Sequence, residues 1–185
     1  HNGHDSALCR HFGLSAGWQA GVAHLARAKI RKTDVGRVSC LSADGAPLTR
    51  YFLGEASFGL SASIARSTGR ARIARLFGHR FAARLHTFLT RARWRGTRVR
   101  LMADNYDEIA GIASVSVAPA RGLFNMAFLD GQGRADESRR LRTARLTAAA
   151  TLDTTAAVAV ECDWESAGIL PASFDVYPAA INLRI

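Results

Sequence analysis

Three acidic residues stand at alternate positions near the end of the chain, where carboxylates can act as an acid or a base. The stretch VAVECDWESAGILPASFDVYP (158–178) contains an alternating apolar run that ends in Glu161, Asp163 and Glu165. A carboxylate within hydrogen-bond reach of a hydroxyl can accept its proton, so such a cluster can belong to a catalytic site. The same residues also suit a solvated hairpin turn between two strands. From the residues alone, both interpretations stay open.

Metal and thiol chemistry have little support in the sequence. The cysteines Cys9, Cys40 and Cys162 are far apart, odd in number and form no CxxC pair, which favours reduced thiols inside a cell or organelle. The six histidines show no HxxxH or HExxH spacing. The three acids alone would not form a metal site. Alternate residues of one strand face the same way, and the sequence shows no second set of ligands opposite them. We therefore predict no metal centre.

The basic residues are the second feature that could bind a ligand. The net charge is +10, and of the 25 basic residues only Lys29 and Lys32 are not arginine. No acid occurs between positions 56 and 103. Such a surface attracts phosphates of nucleotides, RNA or anionic lipids, and Arg72, Arg75 and Arg93 are its candidate contacts. The alternative is an ordinary solvated helix face.

The hydrophobic pattern predicts the elements that would position these residues. Spacings of three to four predict a helix over 15–30 and a longer one over 61–94, whose aromatic stripe suits core packing or a pocket for an acyl chain. Alternation of period two predicts two strands between the helices and about six or seven after them. We therefore expect one α+β domain, an antiparallel β-sandwich or curled sheet with helices packed on it. No apolar run approaches the roughly 20 residues of a membrane-spanning helix.

Four stretches share their order with motifs of one superfamily. NGHDSALCRHFGL, then a helix and RKTDVGRV, is similar to G-T-G-N-D-F-A-R-x-L-G, a helix and DVG. RYFLGEASFGLSASIAR resembles RYFxNxAxxGxDAxxxR, and RGLFNMAFLDGQG resembles GRYFGGGMxxAPxAxxxDG. VECDWESAGILPASFDVYPAAINLRI resembles the closing VxxDGExxGxLPxxFxVxPxALxLxV. These motifs belong to the diacylglycerol kinase and sphingosine kinase superfamily of lipid kinases, and the chain resembles its C-terminal, lipid-binding half in a degenerate form.

The resemblance implies roles for particular residues. Glu165 would be the general base that takes the proton of the lipid hydroxyl, and Gly3 and Asp5 would lie at the nucleotide. ATP and Mg²⁺ would be bound only with an upstream half that carries a G-G-D-G-T loop. On this view residues 1–36 are a remnant of the connection to the nucleotide half, and residues 37–185 form the β-rich lipid-kinase-like part of a single domain. The first residue is His1, so we expect a processed form or a fragment.

The departures from the family pattern are equally specific. The chain contains no GGDG, and the phosphate-binding segment has become Asn2-Gly3-His4-Asp5. Gly54 lies near the position of the family's asparagine, and Asp163-Trp164-Glu165 replaces D-G-E. A glycine would favour the tight turn there, whereas tryptophan adopts a positive φ only at a cost.

These departures lead to two functional hypotheses. In the first, the chain is a non-catalytic, kinase-like, arginine-rich accessory or structural subunit of a larger assembly. Its partners would be other protein subunits, with RNA phosphates or anionic lipid as further ones, and it would need no cofactor. In the second, it is the lipid-binding half of an ATP-dependent kinase of diacylglycerol or sphingoid bases. Whether the protein is an enzyme stays open. We expect an intracellular, mitochondrial location.

Overall fold

Eleven β-strands make up nearly all of the chain that the structure describes. The computed structural model describes residues 11–13, 22–23, 27–60, 62, 97–129, 135–152, 154 and 157–185. In chain order the strands are β1 Ile30–Leu41, β2 Pro47–Phe52, β3 Ala56–Gly59, β4 Thr97–Ala103, β5 Tyr106–Ile112, β6 Ser114–Ala120, β7 Leu123–Leu129, β8 Ala135–Thr143, β9 Arg145–Ala150, β10 Ala159–Cys162 and β11 Glu165–Arg184.

All the strands join into one antiparallel sheet. Its order is β5-β4-β9-β11-β10-β3-β6-β7-β8, and β1 pairs with β11 and β2. The twenty-residue β11 is paired along both edges: β1 follows one edge, and β10 and then β9 follow the other. The sheet therefore divides into two arms at β11, one through β9 and one through β10, and curls around the core between them.

The expectation of an α+β domain with helices packed on the sheet is wrong. Strands and turns make up most of the described residues and form one curled sheet, and only a few positions are helical: His11, Val22, Ala23, Arg27, Leu60 and Ala62. The predicted helix over 15–30 ends where β1 begins, at Ile30, and most of it lies outside the described residues. The predicted helix over 61–94 also lies outside them, apart from Ala62. The period-two pattern correctly indicated a curled antiparallel sheet. The fold class was wrong because the two stretches of helical periodicity were taken as evidence for helices packed on that sheet.

Alternate residues of the strands build the core. Val38 of β1, Phe174 of β11 and Leu146 of β9 are aligned across three neighbouring strands, and all three are fully buried. Aromatic pairs join distant parts of this core: the ring centroids of Phe52 and Phe124 lie 5.9 Å apart and those of Phe58 and Phe174 lie 5.8 Å apart. The remaining buried strand residues are mostly valine, alanine and leucine, as period-two burial requires.

Strand β1 is fitted closely to its neighbours. A Cβ atom on Gly36 would lie 2.2 Å from the ring of Phe52, so any larger residue would have to displace this buried ring. Two residues earlier, the carboxylate of Asp34 accepts hydrogen bonds from the backbone N–H groups of Gly122 (2.7 Å) and Ala179 (2.8 Å). A register shift between Thr33 and Val35 brings Asp34 into place. The DVG segment thus ties β1 to β11 and to the turn between β6 and β7.

In the described part of the chain, no helix is long and apolar enough to cross a membrane.

We predict that Gly36→Ala destabilises the protein by about 1–3 kcal/mol, the usual cost of overpacking a close contact. The matched control is Gly111→Ala, because a Cβ atom there would meet nothing within 4 Å. The control should change the free energy of unfolding by less than about 0.5 kcal/mol. Urea-induced unfolding followed by tryptophan fluorescence measures both values. Equal stability of the two variants would contradict the close contact with Phe52.

Candidate functional site

The acidic trio lies at the hairpin between β10 and β11. Cys162 pairs with Glu165, which leaves Asp163 and Trp164 as a two-residue turn. Their φ angles are 47° and 66°, and positive φ at both central positions defines a type I′ turn. Trp164 therefore occupies the position that usually belongs to glycine, at a cost of about 1 kcal/mol or more. Other contacts of the turn must offset this strain.

The side chain of Asp163 supplies those contacts. Its carboxylate accepts hydrogen bonds from three consecutive backbone N–H groups: Leu53 at 2.9 Å, Gly54 at 2.8 Å and Glu55 at 3.1 Å. The backbone N–H of Asp163 in turn donates to the carbonyl oxygen of Glu55 at 2.8 Å. We call this group the Asp163 clamp, since it fixes the β10–β11 turn to the loop between β2 and β3.

Trp164 covers the same loop. A Cβ atom on Gly54 would lie 3.0 Å from a carboxylate oxygen of Asp163 and 3.1 Å from the indole of Trp164. Gly54 is buried although it belongs to a loop. The two departures from the family pattern, Gly54 and Trp164, are thus in contact, and the small residue makes room for the large one.

A pair of buried acids lies behind the clamp. Glu161 is only 7% exposed and is aligned with Ser57 on β3, which is aligned in turn with Ser116 on β6. Burial raises the pKa of Glu161 to about 7; the charge of Glu55 adds to the rise, and a hydrogen bond from Ser57 opposes it. Burial also raises the pKa of Glu55, and the Asp163 charge adds to it, against a hydrogen bond with Ser116. Both acids thus favour the protonated form more than a solvated glutamate does.

The two described cysteines are equally inert. Cys40 and Cys162 are both buried and free of disulfides. Burial raises the pKa of both thiols, and that of Cys162 rises to about 12. A thiol with such a pKa is almost entirely protonated at neutral pH and is a poor nucleophile.

An open cleft of about 640 Å³ lies beside the Asp163 clamp. Its walls are mainly aromatic and aliphatic, and the clamp supplies one polar edge. They are formed by Val35, Tyr51, Phe52, Leu53, Asp163, Tyr177, Ala180 and Ile181. We call it the aromatic cleft. A mostly apolar concavity with a few polar groups is the usual form of a small-molecule site.

A second depression, of about 380 Å³, shares Tyr177 with the aromatic cleft. At its floor one carboxylate oxygen of Asp175 accepts a hydrogen bond from Nη2 of Arg37 and the other from Nε of Arg145, both at 2.8 Å. Burial alone would raise the pKa of Asp175, but the hydrogen bonds and charges of the two arginines together lower it. We call this depression the arginine pocket.

The sequence-predicted site residues are only partly described. Glu165 is exposed at the start of β11, directly after the turn, and pairs with Cys162. Gly3 and Asp5 lie outside the described residues, and so do Arg72, Arg75 and Arg93. Their roles at a nucleotide or at phosphates stay predictions.

Sequence reasoning missed three features of the site: the clamp made by Asp163, the burial of Glu161, and the pairing of Arg37 and Arg145 with Asp175. Only the burial of Glu161 had a weak signal, since an acid inside an apolar alternating run points inward when its neighbours point outward. The other two had none. The donors to Asp163 lie 108 to 110 residues away along the chain, and the partners of Asp175 lie 138 and 30 residues away.

Among the described residues, no group of three or more histidine, cysteine, aspartate or glutamate side chains is placed to hold a metal ion. Of the three acids near the turn, Asp163 already accepts three backbone hydrogen bonds and Glu161 is buried, which leaves Glu165 as the exposed carboxylate. The resemblance places the ligands of ATP and Mg²⁺ in the upstream half.

The fold is similar to that of solved kinases. A putative diacylglycerol kinase from Bacillus anthracis str. Sterne matches with a TM-score of 0.61 and 9% identity, over 94% of this chain and 64% of that one. A further putative diacylglycerol kinase structure from the same organism matches with a TM-score of 0.58 and 12% identity, over 94% and 63%. Yeast NADH kinase complexed with NADH matches with a TM-score of 0.52 and 10% identity, over 93% and 48%.

No protein-family model and no curated protein matches the sequence. The chain spans less than two thirds of the length of the diacylglycerol kinases that it matches. At such low identity the likeness shows the fold alone, and at that level it confirms the kinase-like resemblance. That the chain is a degenerate C-terminal half stays a prediction.

We predict that Asp163→Ala destabilises the protein by at least about 2 kcal/mol, because three backbone N–H groups lose a charged acceptor. Asp44→Ala is the matched control. Asp44 lies in an exposed turn and accepts a hydrogen bond from Ser42, so its loss should cost less than about 1 kcal/mol. Chemical denaturation measures both variants. A smaller loss for Asp163→Ala than for Asp44→Ala would show that the clamp is not a major stabilising contact.

The raised pKa of Glu161 predicts a pH-dependent stability. The folded protein binds this proton more tightly than the unfolded chain, whose glutamate has the ordinary pKa of 4.5. The stabilisation is complete below that pH and is lost as the pH rises through about 7. Glu161→Gln should reduce the fall in unfolding free energy between about pH 5 and about pH 8 by on the order of 2 kcal/mol.

The control for this measurement is Glu165→Gln, which removes an exposed glutamate from the same hairpin. It should keep the pH dependence of the wild type. An unchanged pH dependence in Glu161→Gln would mean that Glu161 is not the buried group that titrates.

Proposed function

We propose that this chain is a non-catalytic, kinase-like, basic domain that serves as an accessory or structural subunit of a larger protein assembly. The Asp163 clamp is the observation that carries the proposal. Asp163 is the first acid of the Asp-Trp-Glu turn, and both of its carboxylate oxygens accept hydrogen bonds from backbone N–H groups. A group that transfers a proton or holds a cation needs a free oxygen facing the substrate.

The other two acids of the trio support the same conclusion in different ways. Glu161 is buried between β3 and β11 and its pKa is raised to about 7, so it contributes to the interior of the sheet. Glu165 is exposed. Among the described residues, the Glu165 side chain makes no hydrogen bond or ion pair that would orient it. The turn thus acts as a structural device that joins β10 and β11 to the β2–β3 loop.

Trp164 strengthens this interpretation. An indole at a positive φ is strained, and the strain is compatible with folding because the clamp and the space above Gly54 hold the turn in place. A turn that has to admit a substrate would be less crowded with the glycine of the D-G-E pattern. Trp164 instead covers the β2–β3 loop at Gly54.

A second function is favoured by the aromatic cleft. Its volume of about 640 Å³ and its apolar walls suit the hydrocarbon part of a lipid, and the exposed Glu165 follows the same turn. On this alternative the chain is the lipid-binding half of an ATP-dependent kinase of diacylglycerol or sphingoid bases, and the nucleotide half supplies ATP and Mg²⁺. An intracellular, mitochondrial location remains part of the first proposal.

The test is a phosphorylation assay on the native protein together with whatever copurifies with it. Labelled ATP, Mg²⁺ and mixed micelles of diacylglycerol or sphingosine are supplied to the wild type, Glu165→Gln and Trp164→Gly. We expect no difference in lipid phosphorylation between the wild type and Glu165→Gln, and none for Trp164→Gly, although it restores D-G-E. Lipid phosphorylation that falls at least about tenfold in Glu165→Gln would establish the kinase alternative, since general-base groups contribute about that much or more.

Native mass measurement supplies the complementary result. The first proposal requires the chain to be present stoichiometrically in a complex larger than itself. A chain that purifies alone and without lipid kinase activity would contradict both functions.

A further inference from the structure

The sheet has a solvent-exposed face opposite the aromatic core, on strands β2, β1, β11, β9 and β4. Strand pairing aligns its residues in rows: Tyr51, Arg37, Asp175 and Arg145 form one row across four strands. Thr49, Ser39, Ser173 and Thr147 form the row beside it. We call this surface the outer face. Its residues are polar, basic or aromatic, in contrast to the phenylalanines and valines of the other side.

Two tyrosines provide flat aromatic surfaces on the outer face. Tyr51 is 64% exposed and Tyr177 is 39% exposed. Tyr51 is aligned with Arg37 on β1, and Tyr177 with Val35, two residues further along the same strand. The tyrosines thus lie on strands either side of β1, which places their backbones roughly 10 Å apart across the sheet. Both line the aromatic cleft.

Two arginines lie between and beside these rings. Arg37 stands over the ring of Tyr177, with its guanidinium carbon 5.3 Å from the ring centroid. Arg145 is 75% exposed and is held to the same carboxylate as Arg37. Asp175 therefore orients two guanidinium groups and balances the charge of one of them, while Asp104, which lines the same pocket, balances the other. In the described part of the chain, Nε of Arg37 is a buried donor with no hydrogen-bond partner in the protein.

The two depressions on this face meet at Tyr177. The aromatic cleft contains both tyrosines, and the arginine pocket contains both arginines. The pocket also includes Asp104, whose carboxylate is already an acceptor for the Thr143 hydroxyl and the Ala144 N–H at 2.9 Å each. A ligand that spans the boundary would place a flat apolar group on one side and an anionic group on the other.

We propose that the outer face binds single-stranded RNA, with bases stacked on Tyr51 and Tyr177 and phosphate groups at Arg37 and Arg145. Exposed aromatic rings interleaved with basic groups on an open sheet suit unpaired bases, which offer both faces for stacking. The net charge of +10 complements a polyanion. An extended strand can contact rings and basic groups on neighbouring strands of an open sheet at the same time, so we take RNA as the occupant. This binding goes beyond the proposed function, and it competes for the aromatic cleft with the lipid of the kinase alternative.

The experiment measures fluorescence anisotropy of a labelled 12-nucleotide single-stranded RNA with the native protein. We expect Tyr51→Ala and Tyr177→Ala each to weaken binding roughly tenfold, while Tyr177→Phe, which keeps the ring, retains it. Arg145→Gln should weaken binding and reduce the dependence of affinity on salt. Arg142→Gln is the matched control, because it removes an exposed arginine on β8, away from the outer face, and it should change affinity less than about twofold.

Circular dichroism must first show that each variant is folded. Full RNA affinity in the folded double variant Tyr51→Ala, Tyr177→Ala would overturn the proposal. Binding to cardiolipin-containing vesicles with no binding to RNA would overturn it as well, and would identify the face as a membrane contact. Displacement of the RNA by an equal concentration of AMP would assign the groove to a free nucleotide instead of a strand. The lipid phosphorylation assay is independent of all these outcomes, so either proposal can fail without the other.

Discussion

The hydrogen-bond pairing of β11 on both of its edges is the constraint on which the rest of the structure depends. The core residues of both arms are placed by their register with this strand, directly or through the strands that lie between. Phe174 faces Val38 on one side and Leu146 on the other. A slip of β11 by one residue would therefore turn Phe174 and the other core residues of that strand to solvent. The same register sets Asp175 between Arg37 and Arg145 on the outer face. Core and outer face are therefore two consequences of one alignment.

The beginning of β11 shows how the candidate site depends on that alignment. The strand starts immediately after a turn whose backbone is strained at Asp163 and Trp164. The Asp163 clamp holds the turn against the β2–β3 loop, and Gly54 leaves room for the indole. Residues that resemble a catalytic motif in sequence thus have structural partners that account for them. The fold is similar to that of solved kinases, and the loss of a catalytic role at this turn is the proposed function.

Some of these features could be predicted from the sequence and others could not, and the physical reasons differ. The hairpin at Asp163 and the strands around it were predictable, because alternation and turn signals act over a few residues. The fold class was wrong, since helical periodicity in two stretches outweighed the strands. The Asp163 clamp was not predictable, because its donors lie 108 to 110 residues from the acid. The two tyrosines of the outer face belong to separate strands, and only the register of β1 with both shows that they are near each other.

The ladder between β1 and β11 continues to the last residue of the chain. Lys29 and Ile185 exchange backbone hydrogen bonds of 3.0 and 3.1 Å, beyond the last strand residues. Because the two strands are antiparallel, Lys29 and Ile185 lie at the same end of the ladder. A force that pulls these two residues apart would therefore load the terminal pair first and peel the strands one hydrogen bond at a time. A force between Ile185 and Leu41, at the far end of β1, would instead load the bonds together as shear. The mechanical resistance of this ladder thus depends on where the force is applied, a property that its thermodynamic stability does not describe.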